Sequence, residues 1–148
     1  PVTLNGIRCL LTGFGRITKV LVKYLTALGA DVTVTARKYS DLSWAEIYGC
    51  RSLHISQLDQ ALPHFDLIIN TVPAMLFHDD RLALIRKNCL VIDLASKPGG
   101  VDFDLARSRG LKVIWALSLP GKVAPVTSGE IIANTIQNIL SEKGERPC

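Results

Sequence analysis

The chain has 148 residues, of which 48% are hydrophobic and 20% are charged. This is the length of one ordinary domain, and the composition favours a packed core over a disordered chain. Its 17 basic and 13 acidic residues leave a net charge of +4 without a run of like charges, and only 6% of residues are aromatic. These values disfavour nucleic-acid binding. No apolar stretch approaches the about 20 residues of a membrane span, and no signal-like segment opens the chain.

The four cysteines are spread along the chain without a CxxC pair. They are Cys9, Cys50, Cys89 and Cys148. A zinc site or a disulfide framework needs clustered cysteines, so neither is expected. Three of the four lie in or beside apolar runs. We therefore predict reduced, mostly buried thiols in a cytosolic protein with no metal site.

The first part of the chain predicts strands that alternate with helices. We expect strands over residues 7–12, 31–36 and 51–55, helices over 17–28 and 40–48, the latter capped by Ser40, and a short helix capped by Ser56. In the helix over 17–28, apolar residues recur every three or four positions. They are Ile17, Val20, Leu21, Tyr24, Leu25 and Leu28. These positions predict one continuous apolar stripe that ends at Gly29.

The second part continues the alternation. We expect strands over residues 67–70, 90–94 and 112–116, and helices over 81–87 and 103–109. A last helix is predicted from the capping box of residues 127–130, before a polar tail that follows Ser141. Its apolar positions are Ile131, Ile132, Ile136, Ile139 and Leu140.

Six strands alternating with helices indicate the α/β class. We predict a Rossmann-type, doubly wound, parallel six-stranded sheet of order 3-2-1-4-5-6, in a three-layer α/β/α arrangement. No linker divides the chain, so residues 1–148 are predicted to form one domain.

A glycine turn follows the first predicted strand. Gly13 permits a tight turn, and Gly15 lets a pyrophosphate approach the backbone, so that residues Gly13, Phe14, Gly15, Arg16 and Ile17 are predicted to bind a dinucleotide. Thr18 stands where the G-x-G-x-x-G fingerprint has its third glycine, so the helix is expected to sit slightly farther out, with the Thr18 hydroxyl free to bond back to its own helix. The alternative is a tight turn without a ligand.

The end of the second predicted strand bears on the choice of cofactor. NAD-binding proteins place an acid there, but this chain has Ala36, followed by Arg37 and Lys38. An arginine fork matches the oxygens of a 2′-phosphate, and Thr35 and Ser40 offer further donors. We therefore predict NADP in preference to NAD. The alternative is that both cations belong to a solvated loop.

Three further loops are predicted at the same edge of the sheet. Asn70, Thr71, Val72 and Pro73 follow the fourth strand and are predicted to wall the ribose and the nicotinamide, unless they only form a turn before a proline. The remaining predicted contacts are Asp93 with the cofactor, and Lys97 and Lys122 with an anionic substrate.

The three histidines do not point to a catalytic group. His54, His64 and His78 are isolated, each in a different segment, and are expected to be structural. No general base is apparent, so the catalytic residues stay unassigned.

Five stretches of the chain resemble the family of the dipicolinate synthase A-subunit. They are GFGRIT, TVTAR, INTVP, VIDLASKPGGVDFDLA and LPGKVAPVTSGEIIANTI, within about residues 4–140. The resemblance implies the C-terminal, nucleotide-binding half of a two-domain oxidoreductase that acts on dihydrodipicolinate, or its hydrated tetrahydro precursor, to give dipicolinate. It also implies that the partner is a flavoprotein-like dipicolinate synthase B-subunit, that the protein is located in the mother-cell cytoplasm of a sporulating bacterium, and that this half alone has little activity.

Other functions remain open at this point. The pattern is more distantly similar to the nucleotide domains of alanine and shikimate dehydrogenases. A Rossmann domain can also act as a regulatory nucleotide sensor without chemistry, because fold does not determine function. A homo-oligomer is a further possibility.

Overall fold

The computed structural model describes residues 4–117 and, beyond them, Val126, Thr127, Gly129, Ala133 and Asn134, whose backbone is helical. Contacts divide the chain into two compact units, Pro1–Leu117 and Ser118–Cys148. The fold below is that of the first unit. Lys122 and most of the predicted last helix lie outside the described residues, and the expectation of one domain over 1–148 stays a prediction.

Residues 4–117 contain a six-stranded parallel sheet. Its strands are β1 (Arg8–Thr12), β2 (Asp31–Ala36), β3 (Arg51–His54), β4 (Leu67–Asn70), β5 (Leu90–Asp93) and β6 (Lys112–Trp115). The strand order is β3-β2-β1-β4-β5-β6, with every neighbouring pair parallel. This is the predicted doubly wound order. The direction of winding reverses between β1 and β4, which opens a crevice at their carboxyl ends.

Helices connect the strands. They are α1 (Arg16–Ala27), α2 (Tyr39–Ile47), α3 (Leu58–Ala61), α4 (Asp79–Leu84) and α5 (Phe103–Ser108), and short 3-10 turns at Ile55–Gln57 and Leu62–His64 flank α3. Two buried apolar clusters lie on the two faces of the sheet. The first includes Val22 of α1 and Ala45 of α2, and the second includes Leu58, Leu82 and Ala106 of the other three helices. The three-layer α/β/α prediction is therefore confirmed.

Two predicted helix starts were wrong. Ser40 lies inside α2, whose N-cap is Lys38. The turn after β3 is capped by the imidazole of His54, which accepts a hydrogen bond from the backbone N–H of Ser56. The predicted helix over 81–87 instead spans Asp79–Leu84, because two acidic residues in its first turn favour an earlier start and the chain is extended again at Ile85.

Helix α1 contacts the sheet through a narrower face than its apolar pattern predicts. The buried residues are Thr18, Val22 and Leu25, spaced by four and three positions. Most of the predicted stripe is instead between 53% and 61% exposed, namely Ile17, Val20, Tyr24 and Leu28. The apolar surface of α1 is wider than the strip that one sheet face can cover, so the prediction of a continuous buried stripe was wrong.

The described cysteines are buried, as predicted. Cys9, Cys50 and Cys89 are free thiols, and burial raises the pKa of Cys9 and of Cys89 to about 12. A thiol with so high a pKa is almost entirely protonated at neutral pH and is therefore a poor nucleophile. Among the described residues, no helix is both long enough and apolar enough to span a membrane.

Candidate functional site

A cleft of about 320 Å³ lies at the carboxyl edge of the sheet. Its walls come from the loops after β1, β2 and β4, together with one residue each from α2 and from the turn after β3. The lining residues are Thr12, Gly13, Phe14, Thr35, Ala36, Arg37, Lys38, Asp41, Ile55, Val72, Ala74, Met75 and Leu76. The cleft brings together seven of the predicted site residues from three separate segments, at the place where doubly wound folds bind ligands.

Gly13 is required by the shape of the first loop. Its φ is +81°, and a Cβ at this position would lie 2.9 Å from Cγ2 of Val72 and 3.1 Å from the hydroxyl oxygen of Thr71. Its backbone N–H donates to the carbonyl of Thr35 at 2.8 Å. The turn is therefore held between β2 and the loop after β4, and no larger residue fits there.

Gly15 serves a different purpose. Its φ is −83°, and it is the N-cap of α1. A Cβ at this position would meet no atom within 4 Å. No described side chain caps the helix, and its first turn carries no acid. The space above Gly15 and the free N–H groups of the first turn, which Arg16 and Ile17 begin, together suit the phosphates of a dinucleotide.

The end of β2 presents two cations to the cleft. Arg37 and Lys38 are exposed and line it. The carbonyl of Arg37 lies 3.2 Å from Nε2 of His54, and Nδ1 of His54 lies 2.8 Å from the hydroxyl of Ser56. Because Ser56 also donates its backbone N–H to Nδ1, the proton of the ring sits on Nε2 and is donated to Arg37. His54 is structural, as expected, and it holds the backbone that carries the first cation.

Asp41 is a lining residue that sequence reasoning missed. It lies in the first turn of α2 and faces the same cleft as Arg37 and Lys38. The missed signal is its spacing: it comes four residues after Arg37, one helical turn beyond the end of β2. Its negative charge opposes the attraction that the two cations exert on a phosphate.

Thr35 carries a buried hydroxyl that lacks a hydrogen-bond partner among the described residues. The side chain is fully buried and borders the cleft. An unpaired buried hydroxyl costs about 1–3 kcal/mol, so its retention beside a cleft is consistent with a polar ligand group that completes it.

Asn70 and Asp93 do not line the cleft. Both side chains are fully buried at the ends of β4 and β5. Asn70 accepts a hydrogen bond from the hydroxyl of Thr12 at 2.5 Å and donates its amide to Asp93 at 2.8 Å. Their polar atoms are thus occupied within the protein. A direct contact of either residue with a cofactor stays a prediction.

Thr71 links the loop after β4 to the glycine turn. Its hydroxyl donates to the carbonyl of Thr12 at 2.7 Å and lies 3.0 Å from the hydroxyl of Thr18. Thr18 therefore donates across to this loop, and the expected bond back to its own helix is not formed. Pro73 and Thr71 do not line the cleft.

Lys97 lies at the tip of the loop after β5. Ser96, Lys97 and Pro98 are exposed, whereas the loop ends at Ala95 and Gly99 are buried. The lysine therefore stands at the carboxyl edge of the sheet, next to the switch-point loops, although it is not part of the cleft lining.

The sheet order and the glycine turn define a Rossmann-type α/β protein with a cleft at its switch point. In sequence, the chain is 36% identical over 140 residues to the dipicolinate synthase A-subunit of Bacillus subtilis. The chain is thus a homologue of part of the dipicolinate synthase A-subunit, and the resemblance read from its motifs is confirmed. The match covers 95% of this chain and 47% of the relative.

Solved structures agree with this relationship. The chain superimposes on the B. subtilis protein with a TM-score of 0.91 and on the dipicolinate synthase A-subunit of Bacillus halodurans with a TM-score of 0.89, at 36% and 38% identity. These matches cover 98% and 99% of this chain and 49% of each of the others. The chain therefore spans about half the length of the relatives it matches.

A more distant neighbour is CAD from Helicobacter pylori, solved as a complex with NADP(H). It is 25% identical, with a TM-score of 0.59 over 76% of this chain and 33% of that one. No protein-family model matches the chain.

Proposed function

We propose that this chain is the NADP-binding, C-terminal half of a dipicolinate synthase A-subunit. The whole enzyme would oxidise dihydrodipicolinate, or its hydrated precursor, to dipicolinate during sporulation. The observation that carries the proposal is the cleft that joins the glycine turn to Arg37 and Lys38 in a homologue of this enzyme. This half alone would have little activity, because about half of the relatives' length lies outside the match.

The cleft assigns a role to each predicted cofactor residue. Gly13, Phe14, Gly15, Arg16 and Ile17 would hold the pyrophosphate at the uncapped start of α1. The 2′-phosphate would lie against Arg37 and Lys38, beside Thr35 and Ala36. The small, buried side chain of Ala36 leaves space at the position where an NAD-binding protein has its acid.

Val72 is the residue of the loop after β4 that reaches the cleft. It would wall the ribose and the nicotinamide together with Ala74, Met75 and Leu76, which continue the same loop and which sequence reasoning missed. Thr71 and Pro73 would shape this wall from behind.

The chemistry of the reaction sets what the protein must do. Conversion of the dihydropyridine to the aromatic ring removes one hydride and one proton, and bound NADP supplies the hydride acceptor. Aromatisation favours the product, so the task of this chain is to orient the cofactor and attract the two substrate carboxylates. Lys97 and Lys122 are the proposed cations for this task, and the general base stays unassigned.

The proposed context follows from the relatives. Their name, which marks one of two components of a synthase, supports the flavoprotein-like B-subunit of that synthase in the role of partner. The activity places the protein in the mother-cell cytoplasm. A homo-oligomer is also compatible with the apolar residues exposed on α1.

Titration with NADPH and NADH tests the cofactor assignment. We expect NADPH to bind at least about tenfold more tightly, because charge-assisted bonds to the 2′-phosphate are absent for NADH. Arg37→Ala should abolish this preference without changing NADH affinity. Arg51→Ala is a matched control, because Arg51 is an exposed arginine that pairs with Asp31 at the other end of the strands. Equal affinity of the wild-type protein for both nucleotides would overturn the assignment.

A further inference from the structure

The loop after β5 is held by an unusual concentration of hydrogen bonds on one carboxylate. Oδ1 of Asp93 accepts the backbone N–H of Ala95 at 2.9 Å, and Oδ2 accepts the N–H of Gly100 at 2.7 Å. The carboxylate thus bonds to both ends of residues 95–100. Within this span, the N–H of Gly99 donates to the carbonyl of Ser96 at 2.8 Å, and the exposed tip between them contains Lys97.

The same carboxylate is joined to the loop after β4. Oδ1 of Asp93 also accepts the side-chain amide of Asn70 at 2.8 Å. Asn70 in turn bonds through both side-chain atoms to the backbone of Val72, at 3.0 and 3.2 Å. Asp93 and Asn70 are fully buried. A carboxylate can accept all three N–H groups because it has no donor of its own.

Gly100 locks the two loops together from the other side. Its carbonyl accepts the backbone N–H groups of Leu76 and Phe77 at 2.9 and 2.8 Å. A Cβ on Gly100 would clash with Nδ2 of Asn70 and would lie 2.8 Å from the carbonyl oxygen of Val72. The loop that carries Lys97 and the loop that lines the cleft are therefore one hydrogen-bonded body.

We propose that Asp93 is a positioning residue that fixes Lys97 relative to the cofactor cleft by bonding to both loops. This inference rests on the proposed function and deepens it. Asp93 would not touch the cofactor. It would hold the exposed ammonium of Lys97 where an anionic substrate carboxylate meets the cleft, through Ala95 and Gly100 on one loop and Asn70 on the other.

Amide hydrogen exchange on this chain tests the structural part of the proposal. In Asp93→Asn, an amide group replaces one acceptor by a donor, so at least one N–H loses its partner. We expect exchange at Ala95 and Gly100 to accelerate at least about tenfold. Asp102→Asn is the matched control, because Asp102 caps α5 through the N–H of Leu105 and an asparagine caps equally well. Unchanged exchange at Ala95 and Gly100 in folded Asp93→Asn would overturn the proposal.

A kinetic cycle on the complete enzyme tests the link to Lys97. We expect Asp93→Asn and Lys97→Ala each to raise the KM for the dicarboxylate substrate about tenfold. If Asp93 acts through Lys97, the double variant should also show about a tenfold rise. A rise near one hundredfold would mean that the two residues act independently and would overturn the proposal. The affinity for NADPH should change less than threefold in all three variants.

A second variant covers the case in which Asp93→Asn does not fold. Trp115→Phe removes one weaker bond to the same loop, from Nε1 of Trp115 to the carbonyl of Ala95 at 3.3 Å, while it keeps an aromatic ring on Phe103. It should raise the substrate KM by a smaller factor, and an unchanged KM would count against the proposal. Failure of the wild-type protein to bind NADPH would instead overturn the proposed function, while the exchange experiment keeps its meaning.

Discussion

The hydroxyl oxygen of Thr18 lies 3.0 Å from that of Thr71, and this contact joins the first turn of α1 to the loop after β4. Thr71 donates onward to the carbonyl of Thr12 at 2.7 Å. A threonine at the third fingerprint position is thus accommodated by a bond across the switch point. The helix is anchored there by a polar contact where a glycine would allow only close packing.

Substitution of Thr18 measures this contact. Thr18→Gly removes the buried hydroxyl and methyl and should lower the free energy of unfolding by about 2 kcal/mol, measured by urea denaturation. Thr18→Ser keeps the hydroxyl and should lose about half as much. If Thr18→Gly were as stable as the wild type, the threonine pair would contribute nothing to the fold.

Gly13→Ala should disrupt the glycine turn more severely than its backbone angle alone requires. A positive φ costs about 1 kcal/mol or more for alanine, and here the new Cβ would also lie 2.9 Å from Cγ2 of Val72. We expect a loss of about 3 kcal/mol together with loss of NADPH binding. Gly110→Ala is the control, because Gly110 has a φ of +75° and open space around it. Equal effects of the two substitutions on unfolding would show that the contact with Val72 is unimportant.

Asp41→Asn should strengthen binding of NADPH. The carboxylate shares the cleft with Arg37 and Lys38, and its removal relieves repulsion against a 2′-phosphate. At a solvated site the effect is modest, about threefold in Kd, and it should shrink in high salt. Binding of NADH should change less. Glu46→Gln, on the same helix, is the control because Glu46 accepts a hydrogen bond from Ser52 and lies outside the cleft lining. A weaker affinity for NADPH in Asp41→Asn would contradict this role.

Asp66 makes the stability of the fold depend on pH. Hydrogen bonds from Arg8, and further ones from Arg86, lower the pKa of Asp66 from 3.8 to about 2. Because the folded pKa lies below the unfolded one, the stabilisation is complete above about pH 4 and is lost as the pH falls towards 2. Asp66→Asn should therefore flatten the change in stability between pH 4 and 2, measured by thermal unfolding. Asp104→Asn, at a fully exposed carboxylate, serves as the control; a slope equal to that of the wild type in Asp66→Asn would refute the assignment.

The alternation of apolar runs with helical patterns was enough to predict six strands, their order and the three layers. These features depend on periodicity and on the handedness of parallel connections, which are local or general properties. Gly13 and Gly15 were recognisable for the same reason, because a turn between a buried strand and a helix needs particular backbone angles. Their separate tasks became visible only from what surrounds each Cα.

The tertiary structure decided which polar side chains face the cleft and which hold the loops. Thr18 and Thr71 are 53 residues apart, and Asn70 and Asp93 are 23 apart. No sequence spacing encodes such pairs, since a buried polar atom bonds to whatever the packed chain brings within reach. By itself, the sequence determined a Rossmann-type sheet with a glycine turn and cations after β2. Only the structure showed that Asp41 enters the cleft, that much of the apolar stripe of α1 is exposed, and that Asp93 bonds to both loops.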